Sequence, residues 1–170
     1  MLENLRPLLV PSRLEDPPEK VGFQDDHWLR IAGGHASAEV SDGAIYLAMS
    51  LRNVGNGIAV LDRWDICTER LDGDSGHNEP ESFRRLTRDL YVPPSDRGFW
   101  QGALRDPSDE VFAQTRAAIE ERTRITIDLL YGDFDGGQRV ISRFTFRPVG
   151  NDDWLVASSR HWNLDRPQPR

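Results

Sequence analysis

The residues best able to move protons near neutral pH are four histidines, His27, His35, His77 and His161. None lies in HExxH spacing or four residues from a second histidine, so no zinc-protease helix is encoded. His27 follows Asp25 and Asp26, an arrangement in which a carboxylate can orient a general base. Acidic solvation at a loop–strand boundary explains the same three residues. His161 stands between Arg160 and Trp162, where an ordinary strand-end histidine is also expected. A hydrolase using His27 or His161 with nearby carboxylates is therefore the weakest of three functional readings.

The acidic stretch Asp72-Gly73-Asp74-Ser75-Gly76-His77-Asn78-Glu79 invites a calcium reading. It puts Gly76 and His77 where a calcium loop needs Asp or Asn, then Gly. Asp133 and Asp135 with Gly136 fail in the same way, and a hairpin turn accounts for them. No GxxxxGK, GxGxxG or GxSxG motif occurs. Cys67 is the only cysteine, which excludes an internal disulfide and a cysteine-only zinc site; it reads as a core filler. No metal and no cofactor is expected.

Residues suited to binding are easier to find. Arg84, Arg85 and Arg88 form the one basic cluster, able to receive a phosphate or carboxylate. Pairing with the acidic loop just before them is the simpler expectation. There are five tryptophans, of which Trp64 and Trp154 fall in phase with core positions. Trp28 and Trp100 do not, and are expected to line a groove or interface. The candidate ligand-binding set is thus Arg84, Arg85, Arg88, Trp28 and Trp100.

The elements that must position these residues are mostly strands. Ile45, Leu47, Met49 and Leu51 alternate with Ala44, Tyr46, Ala48 and Ser50, the period of a half-buried strand. Asn53-Val54-Gly55-Asn56-Gly57 reads as a tight turn whose Asn53, Gly55 and Gly57 tolerate positive φ. A bulged second strand follows with Ile58, Val60, Trp64 and Ile66. Residues 71–82 read as a solvated loop. Residues 83–92 fit both periods, and a strand is favoured. A short strand covers Gly98 to Leu104.

One helix is signalled over 106–124, with Asp106 as cap, Pro107 in first position and Val111, Phe112, Thr115, Ala118 and Ile119 on one face. Arg122 and Arg124 suit its C-terminal dipole. Behind it come a strand with Ile125, Ile127, Leu129 and Tyr131, and a hairpin turn over 133–137. The return strand turns Val140, Phe144 and Phe146 inward and Arg139, Arg143, Thr145 and Arg147 outward. A last strand runs from Trp154 to about His161. About eight strands, one helix and no βαβ repetition predict a mainly β, antiparallel sandwich or barrel. Residues 1–20 are an extended segment and linker dotted with Pro7, Pro11, Pro17 and Pro18, residues 21–164 one domain, and residues 165–170 a polar tail.

The chain has 170 residues with 21 Lys+Arg against 28 Asp+Glu, a formal net charge of -7. Long-range repulsion argues against nucleic acid or an anionic membrane as partner. All the basic residues but Lys20 are arginine, which coding bias in a GC-rich genome explains. No apolar run reaches membrane-spanning length and no signal peptide opens the chain, so a cytoplasmic protein is expected.

Residues 44–68, through Leu51-Arg52-Asn53-Val54-Gly55-Asn56-Gly57-Ile58-Ala59, resemble the strand–turn–strand of bacterial immunoglobulin-like β-sandwich modules. Val92-Pro93-Pro94-Ser95-Asp96 is similar to a proline-bearing turn in such modules. The chain also resembles uncharacterised soluble domains of high-GC bacteria that follow a membrane-anchor helix and open with a segment like Leu5-Arg6-Pro7-Leu8-Leu9-Val10-Pro11. The resemblance implies an immunoglobulin-like sandwich with one inserted helix, and possible tethering to a membrane. The leading functional expectation is a non-enzymatic interaction module with a protein partner. The alternative is a small-molecule or ion-binding sensory domain.

Overall fold

A computed structural model describes residues 6–71 and 75–165. Asp72, Gly73 and Asp74 of the acidic stretch, the first five residues and the tail beyond Asp165 lie outside the described residues. Among the described residues the architecture is mainly antiparallel β with one α-helix. Strands are β1 (Leu9–Pro11), β2 (Glu19–Gly22), β3 (Trp28–Ile31), β4 (His35–Ser41), β5 (Ala44–Asn53) and β6 (Ala59–Cys67). Then come β7 (Arg84–Arg85), β8 (Tyr91–Val92), β9 (Arg97–Leu104), helix α1 (Glu110–Glu121), β10 (Ile125–Gly132), β11 (Arg139–Val149) and β12 (Asp153–Asn163).

Ten strands form one sheet. Its path runs β9-β5-β4-β12-β11-β10-β6, with β1 beside β5, and β7 and β8 beside β6. The sheet curls until its ends meet: Trp100 of β9 and Trp64 of β6 pack edge to face with ring centres 5.1 Å apart. Both indoles are buried. Gly102 makes room for them, since a Cβ there would lie 2.9 Å from the Trp64 ring. The inner face carries Ile45, Leu47, Met49, Leu51, Ile127, Leu129, Phe144 and Phe146. Burying each such side chain stabilises by about 2 kcal/mol.

The outer face is covered in two places, which the sequence reading treats as solvated. The β2–β3 hairpin lays Val21, Phe23, Leu29 and Ile31 on Ala44, Tyr46 and Ala48, so β5 is buried on both faces rather than one. The segment after Ser75 brings Phe83 onto Leu130, Ile141 and Trp162. Residues 75–82 are thus docked, with His77 edge-on to Trp162 at 4.9 Å. Arg143, expected to point to solvent, lies under this cover and is only 6% exposed.

Helix α1 is shorter than the sequence predicts. Its cap is Asp109, whose Oδ1 accepts from Val111 N at 3.0 Å. Asp106 instead closes a turn by accepting from the backbone and hydroxyl of Ser108. The helix ends where Arg122 takes a left-handed conformation, φ 57°. Its side chain reaches back to the Asp153 carbonyl at 2.7 Å and lies over Trp154. Phe112 and Ala118 enter the main core and α1 packs against β4 and β6. Between residues 83 and 92 only the short β7 and β8 are strands, and no helix forms.

The 53–57 turn works differently from the expected positive-φ hairpin. Asn53 is fully buried, and all its amide positions are used. Oδ1 accepts from Leu8 N and Gly55 N; Nδ2 donates to the carbonyls of Gly57 and Val92. Gly55 is required by close approach: a Cβ would lie 2.3 Å from the Arg6 carbonyl. The N-terminal segment is clamped there, with Val54 N donating to Leu8 O and Asn56 N to Arg6 O. The left-handed hairpin turn sits earlier, at Asp42-Gly43, which joins β4 to β5 in two residues. Among the described residues no helix is long and apolar enough to cross a membrane.

Candidate functional site

A groove of about 460 Å³ runs between the β2–β3 hairpin and the outer face of β9. Its position follows from local geometry. Gly22 pairs with Trp28 across the hairpin, and a Cβ on residue 22 would come 2.8 Å from the indole. The missing side chain lets Trp28 lie flat across the hairpin while remaining 63% exposed. On the β9 side, alternation turns Phe99, Gln101 and Ala103 toward the groove while Trp100 faces the core.

Gln101 organises the floor. It is 6% exposed; its Nε2 donates to the Gly22 carbonyl at 3.1 Å, and its Oε1 accepts from Arg88 Nη1 at 3.1 Å. That bond holds the Arg88 guanidinium 5.7 Å from the Phe99 ring centre. Lys20 and Arg105 complete a wall of three cations, and among the described residues no acid lines the groove. Arg105 is compensated just outside, 3.3 Å from Asp25. Lys20 makes no ion pair among the described residues. A positive, aromatic-lined groove on a chain of net charge -7 is suited to a ligand that is both anionic and apolar.

Beside the groove stands an aromatic cluster. The His27 ring stacks on Tyr46 at 3.9 Å and 11°, and Phe23 meets Tyr46 edge-on at 4.9 Å. The Tyr46 hydroxyl donates to Asp25. That bond, with Arg105 adding to it, holds the Asp25 carboxyl below its usual range, and it raises Tyr46. His27 Nε2 lies 3.2 Å from Glu39, so its carboxylate partner is neither Asp25 nor Asp26. His161 lies across the sheet, with Nδ1 2.5 Å from Ser142 Oγ. Ser142 is fully buried, so that hydroxyl cannot meet a substrate in this conformation.

The expected binding set divides. Trp28 and Arg88 come together in the groove. Trp100 does not join them: it is fully buried, because the strand's alternation points it into the core against Trp64. Arg84 leaves in another direction. It bonds Asp109 at the start of α1 at 2.8 Å and lies over Trp64. Arg85 is exposed on the far side of β7. The three arginines therefore do not converge, and Arg84 and Arg88 find partners in α1 and β9 rather than in the acidic loop. Asn53, Gly55 and Gly57 hold the turn as structural residues.

Sequence reading misses Lys20, Phe99, Gln101 and Arg105. The available signal was alternation: once Trp100 faces inward, Phe99 and Gln101 face outward. Among the described residues no cluster of three or more His, Cys, Asp or Glu gathers as a metal site. Comparison with protein-family models, with curated proteins and with solved structures finds no match to this chain.

Proposed function

We propose that the chain is a non-enzymatic interaction module that binds a protein segment in the groove between the β2–β3 hairpin and β9. The observation that carries this reading is the 63% exposure of Trp28 beside Arg88 and Lys20. Exposed tryptophan and arginine at one site are the residue types that dominate protein–protein binding energy. The preferred partner segment carries acidic side chains for Arg88 and Lys20 and an apolar one for the Trp28 face. The immunoglobulin-like sandwich stays with this reading. The meeting of β9 and β6 through Trp100 and Trp64 supports a closed, two-faced arrangement. The expected setting is the cytoplasm or the soluble face of a membrane-tethered assembly.

A displayed peptide library tests the reading. Enrichment of acidic peptides with one aromatic or large aliphatic residue is expected on the native chain. Trp28→Ala lowers their affinity by about 2 kcal/mol while leaving the thermal melt unchanged. Equal enrichment on the Trp28→Ala/Lys20→Glu variant would reject the groove as the binding site.

A further inference from the structure

A second cavity, of about 480 Å³, opens on the opposite part of the sheet, where β6 ends and β10 begins. Its walls come from five stretches of chain. Thr68 to Leu71 follow β6, Thr123 and Arg124 follow α1, Thr126 opens β10, and β11 and β12 supply Arg143, Thr145, Ser159 and Arg160. Among the described residues, four arginines and five hydroxyls thus line one space, with Glu69 the only acid.

The chain pays attention to where these arginines end up. The left-handed turn at Arg122 ends α1 three residues before β10 and places Arg124 at the rim. Arg143 forms the rigid wall, because Asp128 and the carbonyls of Ser75 and Gly76 fix its guanidinium. Arg70 and Arg124 form no ion pair among the described residues. Asp128 already compensates Arg143, so the charges open to a bound anion are those of Arg70 and Arg124, and an anion between them relieves their mutual repulsion.

We propose that this cavity binds a small molecule through a phosphate group. Guanidinium groups from two sides and hydroxyls from the strand floor approach from different directions. Such donors suit a tetrahedral oxyanion with several acceptor oxygens better than a planar carboxylate. The cavity falls in the size range of small-molecule sites, roughly 300–1,000 Å³. It therefore holds an organic body as well as the phosphate. The site shares no lining residue with the Trp28 groove, so neither proposal depends on the other.

Calorimetric titration of the full chain at low ionic strength with inorganic phosphate, phenyl phosphate and benzoate tests it. Saturable binding of both phosphates is expected, with phenyl phosphate the tighter and benzoate the weakest. Arg70→Gln and Arg124→Gln each weaken phenyl phosphate roughly tenfold through loss of a charge-assisted bond. Both side chains are exposed, so the melting temperature stays unchanged. Trp28→Ala leaves phosphate binding intact. Absence of saturable phosphate binding, or binding undiminished in the Arg70→Gln/Arg124→Gln double variant, would overturn the proposal. Benzoate binding as tight as phenyl phosphate would overturn the choice of oxyanion. Phosphate bound with no gain from the phenyl group would overturn the claim of an organic body.

Discussion

Arg143 and Asp128 face each other directly across the β10–β11 ladder and join through two parallel bonds, Nε to Oδ1 and Nη2 to Oδ2, each 2.8 Å. Both side chains are 7% exposed. The guanidinium also donates to Ser75 O and Gly76 O and lies 4.8 Å from the Trp162 ring centre. One ion pair thus fastens the covering segment to the sheet.

The pair is expected to be unequal in its single and double variants. Arg143→Met leaves a buried carboxylate unpaired and two carbonyls without donors. It should cost about 3–5 kcal/mol. Arg143→Met/Asp128→Leu removes the stranded charge as well and should recover most of that loss. Urea unfolding midpoints measure both. Limited proteolysis separates the sheet from its cover: cleavage within residues 75–82 should accelerate in both variants, because both lose the carbonyl contacts. A double variant no more stable than the single one would show that the charge is not what the pair neutralises.

Asn53 holds the N-terminal segment, the β5 end and β8 together through one amide. Asn53→Ala should destabilise by about 3 kcal/mol, since buried donors and acceptors lose partners at once. Asn53→Asp should do no better. Its second oxygen would face the carbonyls of Gly57 and Val92, which need a donor. Gly55→Ala tests the same clamp from the other side, because the Arg6 carbonyl blocks a Cβ. Chemical denaturation with hydrogen exchange at Val54 and Asn56 reads the effect. Those amides donate to Leu8 O and Arg6 O, and should lose protection first.

What could be read in advance was whatever local periodicity encodes. The β5 alternation, the inward phase of β10 and the apolar face of α1 all follow from neighbours in sequence. The misjudged features depend on what lies over the sheet. β5 was readable as amphipathic, but nothing local announces that the hairpin at 19–31 will cover its second face. Arg143 alternates as an outward residue and is outward. Its burial comes from a segment nearly seventy residues away, docking through Ser75 and Gly76. The candidate sites follow the same logic. Trp28 and Arg88 lie sixty residues apart and meet only through Gln101 and Gly22. The Asp42-Gly43 turn is encoded locally, but sequence reading assigns the positive-φ turn to 53–57 and passes over it.

The last prediction concerns a buried chain of hydroxyls with a fixed direction. Leu9 N donates to Tyr131 Oη at 2.9 Å, and Tyr131 Oη lies 2.7 Å from Ser142 Oγ. Ser142 Oγ lies 2.5 Å from His161 Nδ1. Leu9 can only donate, and among the described residues Ser142 is the one acceptor in reach of the Tyr131 proton, so Tyr131 donates to Ser142 and Ser142 to His161. The sequence closes only if Nδ1 is an acceptor, so His161 is neutral with its proton on Nε2. Burial agrees, since it lowers His161 below its ordinary value of 6.5 and pushes Tyr131 up to about 12. The unfolded chain therefore takes up a proton at His161 before the folded one does. Stability is complete above pH 6.5 and falls as the pH drops through 6.5 toward the folded value. At the alkaline end the unfolded tyrosine ionises first, so stability falls as pH rises from 10 toward about 12. Urea unfolding across pH is expected to show both losses in the native chain. His161→Asn should remove the acidic loss and Tyr131→Phe the alkaline one. A stability difference between native and His161→Asn chains that stays constant from pH 7.5 down to about pH 5 would show that the histidine keeps its ordinary affinity for protons. Below pH 6.5 the donor order would then run the other way, with a charged His161 donating to Ser142 and Ser142 to Tyr131. That order would leave the Tyr131 oxygen receiving two donors and its own proton without an acceptor.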